Sequence, residues 1–299
     1  MGTKTALIDY IDRVHIGLKN KHYIISIFLD LSKAFDVMDH DILKLKLDHY
    51  GFRGEFLDFL MNFVQNRQYF VNANGTKSHM KTVNIGVPQG STLGPLLFLL
   101  YINDMINSSN IFHFTQFADD STTTYSGPDL NDALSLVEKE FLKVLDWLTA
   151  NKLIINLSKT HLMIFTNKKR PQNVSINVRG TLINETKETK FLGIFLDNKL
   201  SWHAHIKHIS SKISKSISIL KYLKYIFPTN ILKTLYQTLV FPYINYCNII
   251  WGSAYKTTLR PLTLLKKKGI RIINKTSYLE HTEPFFKKQD YYKLIMYIN

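Results

Sequence analysis

Asp30, Asp119 and Asp120 are the residues of this chain whose types and setting ask for a chemical explanation. Asp30 closes the apolar, β-branched run "HYIISIFLDL", and 89 positions later the adjacent pair Asp119-Asp120 stands in "FTQFADDSTT". Strand-forming sequence disfavours aspartate, and two like charges side by side repel. Taken alone, the pair is accommodated by a solvated turn and Asp30 by capping a helix. Taken together, a carboxylate at a strand end and a pair on a neighbouring turn can converge on one point, where three negative charges need cations. Oxygen donors without histidine or cysteine favour Mg2+ or Mn2+ over zinc. Two such ions about 3.5–4 Å apart form the clamp used for in-line phosphoryl transfer.

The elements that must position these carboxylates are legible from periodicity. "HYIISIFLDL" (22–31) reads as a strand buried on both faces. "IFHFTQFADDSTTTYS" (111–126) reads as strand, tight turn and strand, with the aspartates at the turn. A helix precedes the first strand, with apolar residues at Leu7, Tyr10, Ile11, Val14 and Leu18, and two amphipathic helices follow it, around 40–50 and 54–66. Asn74-Gly75 in "QYFVNANGTKSHMKTV" signals a hairpin. "GVPQGSTLGPLLFLLYINDM" (86–105) begins as a Gly/Pro loop and becomes a helix, with Pro95 in its first turn. Leu130, Leu134, Val137, Phe141, Val144, Leu145 and Leu148 share one face of a further helix. Strands and turns then run to Trp202, after which helices take over. Their first seam is Ile206, Ile209, Ile213, Ile217 and Leu220. The pattern predicts an α+β sheet domain backed by helices, with a subdomain boundary near 195–203.

Composition narrows the setting. The 299 residues are 45% hydrophobic, enough for a substantial core, and no apolar run reaches the ~18–20 residues a membrane helix needs. A single cysteine, Cys247, excludes internal disulfides and cysteine-cluster zinc fingers. The N-terminal "MGTKTALIDY" lacks a secretory pattern, so the expected location is intracellular, in nucleus or cytoplasm, away from membranes. Residues 1–150 carry 13 Lys and Arg against 17 Asp and Glu, net −4, whereas residues 151–299 carry 25 against 6, net +19. That asymmetry points to a polyanion on the second half, with nucleic acid the first candidate. Oligomeric state leaves no mark in the sequence.

The segments "FLDLSKAFDVMDHDIL", "GVPQGSTLGPLLFLLYINDM", "FADDSTTTYS", "NKLIINLSKTHLMIF" and "KFLGIFLDNKLSW" stand in the order of polymerase motifs A to E. On them the chain resembles the reverse transcriptases of LINE-type, non-LTR retrotransposons, particularly the jockey-like group, over about residues 5–299. The resemblance implies a right-hand polymerase palm, an antiparallel sheet backed by helices, with residual fingers segments over 1–200. A helical thumb and C-terminal extension would occupy 201–299. It implies RNA-directed DNA polymerase activity on an RNA template and DNA primer, with deoxynucleoside triphosphates as substrates and two Mg2+ or Mn2+ ions.

By the same resemblance, Asp30 and Asp119 are the essential metal ligands, the carbonyl of Leu31 is a further ligand, and Asp120 supports the primer-side metal. Phe35 would stack under the deoxyribose and exclude a 2′-hydroxyl, although by itself it reads as a core residue. Gln89 would line the nucleotide pocket, with Pro88 and Gly90 shaping the loop. Lys159 would protonate the departing pyrophosphate, or be an exposed lysine and no more. Phe191, Leu192 and Gly193 match the primer grip. The fingers region expected ahead of motif A is largely absent, which suggests a truncated element copy, and leaves a catalytically impaired nucleic-acid-binding remnant as the alternative. An RNA-templated RNA polymerase is disfavoured by Phe35, by the alanine before Asp119 and by the "PQG" box. His203, His205 and His208 are expected to form a solvated or phosphate-facing set rather than a metal site, and Lys266-Lys267-Lys268 to be solvated or to contact phosphate.

Overall fold

β-Branched and aromatic residues give the run after the first helix its extended form. In the computed structural model, which describes residues 2–285 apart from Gln172, Tyr278 and Glu283, that run is β1 (Tyr23–Leu29), preceded by α1 (Thr3–Lys19). Residues 286–299 of the expected C-terminal extension lie outside the described residues. By packing, the chain divides into a unit of Val14–Thr186 and a second unit made of the residues up to Arg13 with those from Lys187 onward. The packing boundary at 186/187 precedes the change in sequence character near 195–203.

The first unit continues with α2 (His40–His49), α3 (Gly54–Val64), and the short strands β2 (Arg67–Tyr69), β3 (Asn72–Ala73), β4 (Thr76–Lys77) and β5 (Lys81–Val83). β3 and β4 form the hairpin around Asn74-Gly75, both residues at positive φ as the Asn-Gly pair favours, and β2 pairs with β5 outside it. Then come α4 (Leu93–Ile102), a 3-10 turn (Asn103–Ser108), β6 (His113–Phe117), β7 (Asp120–Gly127), α5 (Leu130–Ala150), β8 (His161–Phe165), β9 (Ser175–Val178) and β10 (Thr181–Asn184). The central sheet has the order β6-β7-β1-β8, antiparallel throughout, and β9 and β10 form a separate pair.

One face of β1, formed by Ile25, Ile27 and Leu29, packs into a core with Leu43 and Leu47 of α2, Phe98 and Tyr101 of α4, and Val137, Phe141, Val144 and Leu148 of α5. The opposite face is also closed: a Cβ at Gly17 of α1 would stand 2.5 Å from Ile24, so glycine there is what lets helix and strand meet. α2 and α5 start on aspartates whose carboxylates accept two backbone amides each, Asp39 from Asp41 and Ile42, and Asp129 from Asn131 and Asp132. Under α5 the Arg170 guanidinium grips the buried Glu185 carboxylate, with one contact at 2.9 Å, and so ties the end of β8 to the end of β10.

In the second unit β11 (Glu188–Phe191) and β12 (Ile194–Asp197) make a hairpin, followed by α6 (His203–Leu223), α7 (Thr229–Leu239), α8 (Phe241–Asn245), α9 (Asn248–Trp251) and α10 (Lys256–Ile273). Ile206, Ile209, Ile213, Ile217 and Leu220 are all buried along α6, the seam that their spacing predicts. Among the described residues no helix is long and apolar enough to cross a membrane.

Asp197 organises the entry into α6. Its carboxylate accepts the amides of Lys199 (3.1 Å), Ser201 (3.0 Å) and Trp202 (2.9 Å) and the Ser201 hydroxyl (3.1 Å), holding the buried Trp202 at φ +64. Hydrogen bonds to a charged acceptor contribute about 1.5–3 kcal/mol each at their strongest, and less where partly solvated. Asp197→Ala is therefore expected to lower stability by about 2–3 kcal/mol in urea titration, while Asp197→Asn retains part of the loss.

Candidate active site

The β1–β7 pairing fixes where the three aspartates go. Its register runs from Tyr23↔Gly127 to Leu29↔Ser121, so Asp30, the next residue of the chain, follows β1 at the sheet end where Asp120 begins β7. β6 and β7 meet at Phe117↔Asp120, so Ala118 and Asp119 are the two residues of the connecting turn. Residues 89 positions apart in sequence thus leave the sheet at the same end. Asp119 and Asp120 are exposed and Asp30 is half-buried. Ala118 holds φ +52, a left-handed backbone that costs a residue with a Cβ about 1 kcal/mol or more. The turn that presents Asp119 is strained where glycine would relax it.

Among the described residues no three acidic, histidine or cysteine side chains are grouped closely enough to hold a metal ion by themselves. The three aspartates share a sheet end through their backbones, without a preassembled cage. The donor set is nonetheless oxygen-only, open to solvent and concentrated at one end of a rigid sheet, which suits a hard divalent cation that takes its remaining ligands from water or phosphate.

Beyond Asp30 the chain is held on both sides. Asn156 N–H donates to Asp30 O (2.8 Å) and Ser32 N–H to Ile154 O (2.7 Å), around the Leu31↔Ile155 bridge. Both bonds run through flanking residues and leave the Leu31 carbonyl outside them. Lys159 is exposed in the turn that begins at Asn156, so a turn anchored on Asp30 carries it. Phe35 is half-buried against Phe98, ring centroids 4.5 Å apart.

The segment 85–90 is clamped to the 31–40 loop by a network that the sequence did not reveal. Gly86 N–H donates to Met38 O (2.7 Å), and Val87 N–H to Phe35 O (2.9 Å). The Gly86 carbonyl accepts from His40 Nε2 and from Arg67 Nη2, both at 2.8 Å. Gln89 Nε2 donates to Asp36 Oδ1 at 2.8 Å. Gly86 has φ +72, and a Cβ there would lie 2.5 Å from the Asp36 carbonyl oxygen. Gly90 has φ +77 with open space around it, and Pro88 is half-buried. Close backbone approach within the protein therefore falls on Gly86. Burial works to raise the Asp39 carboxyl, but Lys152 Nζ at 2.6 Å and two backbone amides outweigh it and hold the group below the usual aspartate range. That keeps the α2 cap ionised.

In the second unit Leu192 and Gly193 form the two-residue turn of the β11–β12 hairpin, at φ +45 and +80. Leucine is an unusual choice for that backbone. Tyr246 Oη donates to Leu192 O (2.7 Å) and its ring lies over Gly193, while Phe191 packs edge-on against Tyr10 at 5.5 Å.

Two sequence expectations need correction. His205 does not belong to a solvated face: it is 2% exposed, wedged against Trp251, and burial, assisted by His208, pushes its pKa down to about 4. Lys266 is likewise buried rather than solvated, and burial brings its pKa down to about 8. Both are drawn inward by helix packing that local charge patterns do not report.

A family model described as reverse transcriptase (RNA-dependent DNA polymerase) matches residues 3–196. The RNA-directed DNA polymerase from mobile element jockey of Drosophila funebris is 27% identical over 284 residues, 91% of this chain and 31% of that protein. The probable RNA-directed DNA polymerase from transposon BS of Drosophila melanogaster is 27% identical over 271 residues, 87% of this chain and 30% of that protein. The chain spans less than a third of the length of these curated relatives. Apo telomerase from Candida Tropicalis is similar at a TM-score of 0.47 and 13% identity, over 90% of this chain and 50% of that one.

Proposed function

The chain belongs to the reverse transcriptase (RNA-dependent DNA polymerase) family, with relatives among the polymerases of jockey-like, non-LTR elements, and from that premise we propose that it extends a DNA primer on an RNA template. The observation that carries the reading is the β1–β7 register, which brings Asp30 to the same sheet end as Asp119 and Asp120. In this reading residues 1–200 are the palm with fingers segments, and residues 201–299 the thumb and C-terminal extension.

Asp30 and Asp119 would hold divalent cations through their carboxylate oxygens, with the Leu31 carbonyl as a further ligand and Asp120 on the primer side. Two Mg2+ or Mn2+ ions, when bound there, lower the pKa of the primer 3′-hydroxyl and offset charge on the triphosphate. Phe35, which packs against Phe98, would stack under the deoxyribose and exclude a 2′-hydroxyl. Gln89 and the Pro88–Gly90 backbone line the nucleotide pocket. Lys159 stands ready to give its proton to the pyrophosphate oxygen that departs. Phe191, Leu192 and Gly193 hold the primer end, and the basic helices contact backbone phosphates without reading sequence.

Asp36 acts in this reading as a positioning residue. Its hydrogen bond holds the amide of Gln89, so Asp36→Ala is expected to raise the KM for deoxynucleotide about fivefold with kcat little changed, the loss of roughly 1 kcal/mol of orientation. Steady-state extension at varied nucleotide concentration reads this directly; a fall in kcat alone would remove Asp36 from that role.

The reading is tested by offering the purified chain an RNA template annealed to a DNA primer, deoxynucleotides and Mg2+ or Mn2+. Primer extension that stops when the cation is chelated is the expected result. Salt-sensitive hybrid binding with no extension under either metal would return the chain to a binding role without catalysis.

A further inference from the structure

From Asn198 to Leu279 the chain contains 14 lysines and arginines and not one aspartate or glutamate. α6 lies in this stretch, and its buried seam leaves the opposite side as a ridge. Lys207, Ser211, Lys215, Ser218 and Tyr222 follow one another there at steps of three or four residues, all exposed. Tyr222 is 77% exposed, and Tyr225, just past the helix end, is 80% exposed with the Lys224 ammonium 4.7 Å from its ring centroid. Tyrosines this open contribute almost nothing to the core, and the Tyr225 ring stands beside the Lys224 ammonium in a stretch of sequence that has no acidic residue.

We propose that this ridge is a track for single-stranded nucleic acid: Lys207, Ser211 and Lys215 take phosphates, Ser218, whose hydroxyl donates to the Ser214 carbonyl at 3.0 Å, is a small neutral spacer, and Tyr222 and Tyr225 stack on unpaired bases at its end. The proposal rests on the polymerase reading only for the presence of nucleic acid, and it adds the strand type and the residues. The geometry favours a single strand on three grounds. Lys207 to Tyr222 spans about 22 Å at 1.5 Å per residue, a line rather than a rim. Steps of roughly 6 Å between ridge positions are of the order of the separation of phosphates along an extended strand. Duplex bases are already stacked on each other and offer no face to a protruding tyrosine, whereas every unpaired base does. An anionic lipid surface would use the aromatic tip but not cations running far behind it.

The test uses the full chain and fluorescence anisotropy with an oligouridine RNA of about 12 nucleotides, inside the range that such tracks occupy, and with a blunt RNA–DNA hybrid. Combined Tyr222→Ala and Tyr225→Ala is expected to weaken oligouridine binding about thirtyfold and hybrid binding less than threefold, with the salt slope unchanged. Combined Lys207→Ala and Lys215→Ala should instead flatten the salt slope for the single strand by about 1.4. Tyr222→Phe with Tyr225→Phe should bind like the parent, because stacking needs the ring. Ultraviolet cross-linking of iodouridine-substituted RNA to the unaltered protein, mapped by peptide, is expected at Tyr222 or Tyr225 and does not depend on any variant folding. Unchanged oligouridine affinity in the alanine pair, an equal loss on hybrid, or Tyr222-dependent capture by phosphatidylserine vesicles with no oligouridine binding would each overturn the proposal. A chain that fails to extend primers yet binds oligouridine through these tyrosines would sink the polymerase reading alone. One that extends primers but ignores the tyrosines would sink this inference alone.

Discussion

Asp119→Asn is expected to reduce primer extension by about 10³-fold while leaving hybrid affinity equal to the parent's or slightly better. Asparagine keeps the size of aspartate and tolerates the same turn, so the change isolates charge. Asp119 is exposed at a two-residue turn, and surface substitutions outside special features stay within about 0.5 kcal/mol. Fold stability should therefore not move in a urea titration. A carboxylate that helps hold a catalytic cation contributes several kcal/mol of charge stabilisation, and each 1.4 kcal/mol is tenfold in rate. Removing one negative charge from a site that must receive a polyanion relieves repulsion, which is why binding should not suffer. Asp30→Asn should behave alike, since the register brings it to the same sheet end, whereas Asp120→Asn should cost less. Extension above a tenth of the parent's in the Asp119 variant would mean that this turn does not carry the chemistry, whatever the family.

The parts of this arrangement that sequence made legible are those set by neighbours along the chain. A continuous β-branched run gave β1, Asn-Gly gave the β3–β4 turn, and the isoleucine spacing gave the α6 seam residue for residue. The two-residue turn at Ala118-Asp119 also fixes the β6–β7 register, because loop length sets hairpin pairing. What could not be read is whatever depends on distant partners. The pairing of β1 with β7 crosses nearly a hundred residues and is chosen by the whole core. Three glycines stand in residues 86–94, and only the Asp36 backbone, fifty positions away, decides that Gly86 is the crowded one. His205 sits in a run of lysines and histidines that looks solvated, yet the first turn of α6 puts it beside Trp251. Leu192 shows no sign in sequence of the positive φ that the β11–β12 turn and the Tyr246 hydroxyl impose on it.

Gly86→Ala carries the second large effect. The new methyl would meet the Asp36 carbonyl oxygen at 2.5 Å and its carbon at 2.8 Å, both backbone atoms that have no rotamer to yield, and φ +72 adds left-handed strain. Strain of about 1–2 kcal/mol and overpacking of about 1–3 kcal/mol together predict a loss of roughly 3 kcal/mol, unless the 85–90 segment lifts away. Lifting has its own signature. The Gly86 amide and carbonyl hold Met38, His40 and Arg67, and the next residues hold the Phe35 carbonyl and the Asp36 carboxylate. Displacing that segment moves Phe35 and Gln89 together. A misplacement of about 1 Å near reacting groups costs on the order of 10²-fold, so kcat/KM for deoxynucleotide should fall by that much. Discrimination against ribonucleotides should fall with it if Phe35 has the proposed sugar-excluding role, because its ring no longer sits against Phe98. Gly51→Ala serves as the control: φ +94 gives it comparable backbone strain with nothing within 4 Å, so stability should drop by about 1 kcal/mol and sugar discrimination should hold. Parental stability and parental sugar selectivity in Gly86→Ala would show that the two loops are not locked together, and that Phe35 is positioned by its packing on Phe98 alone.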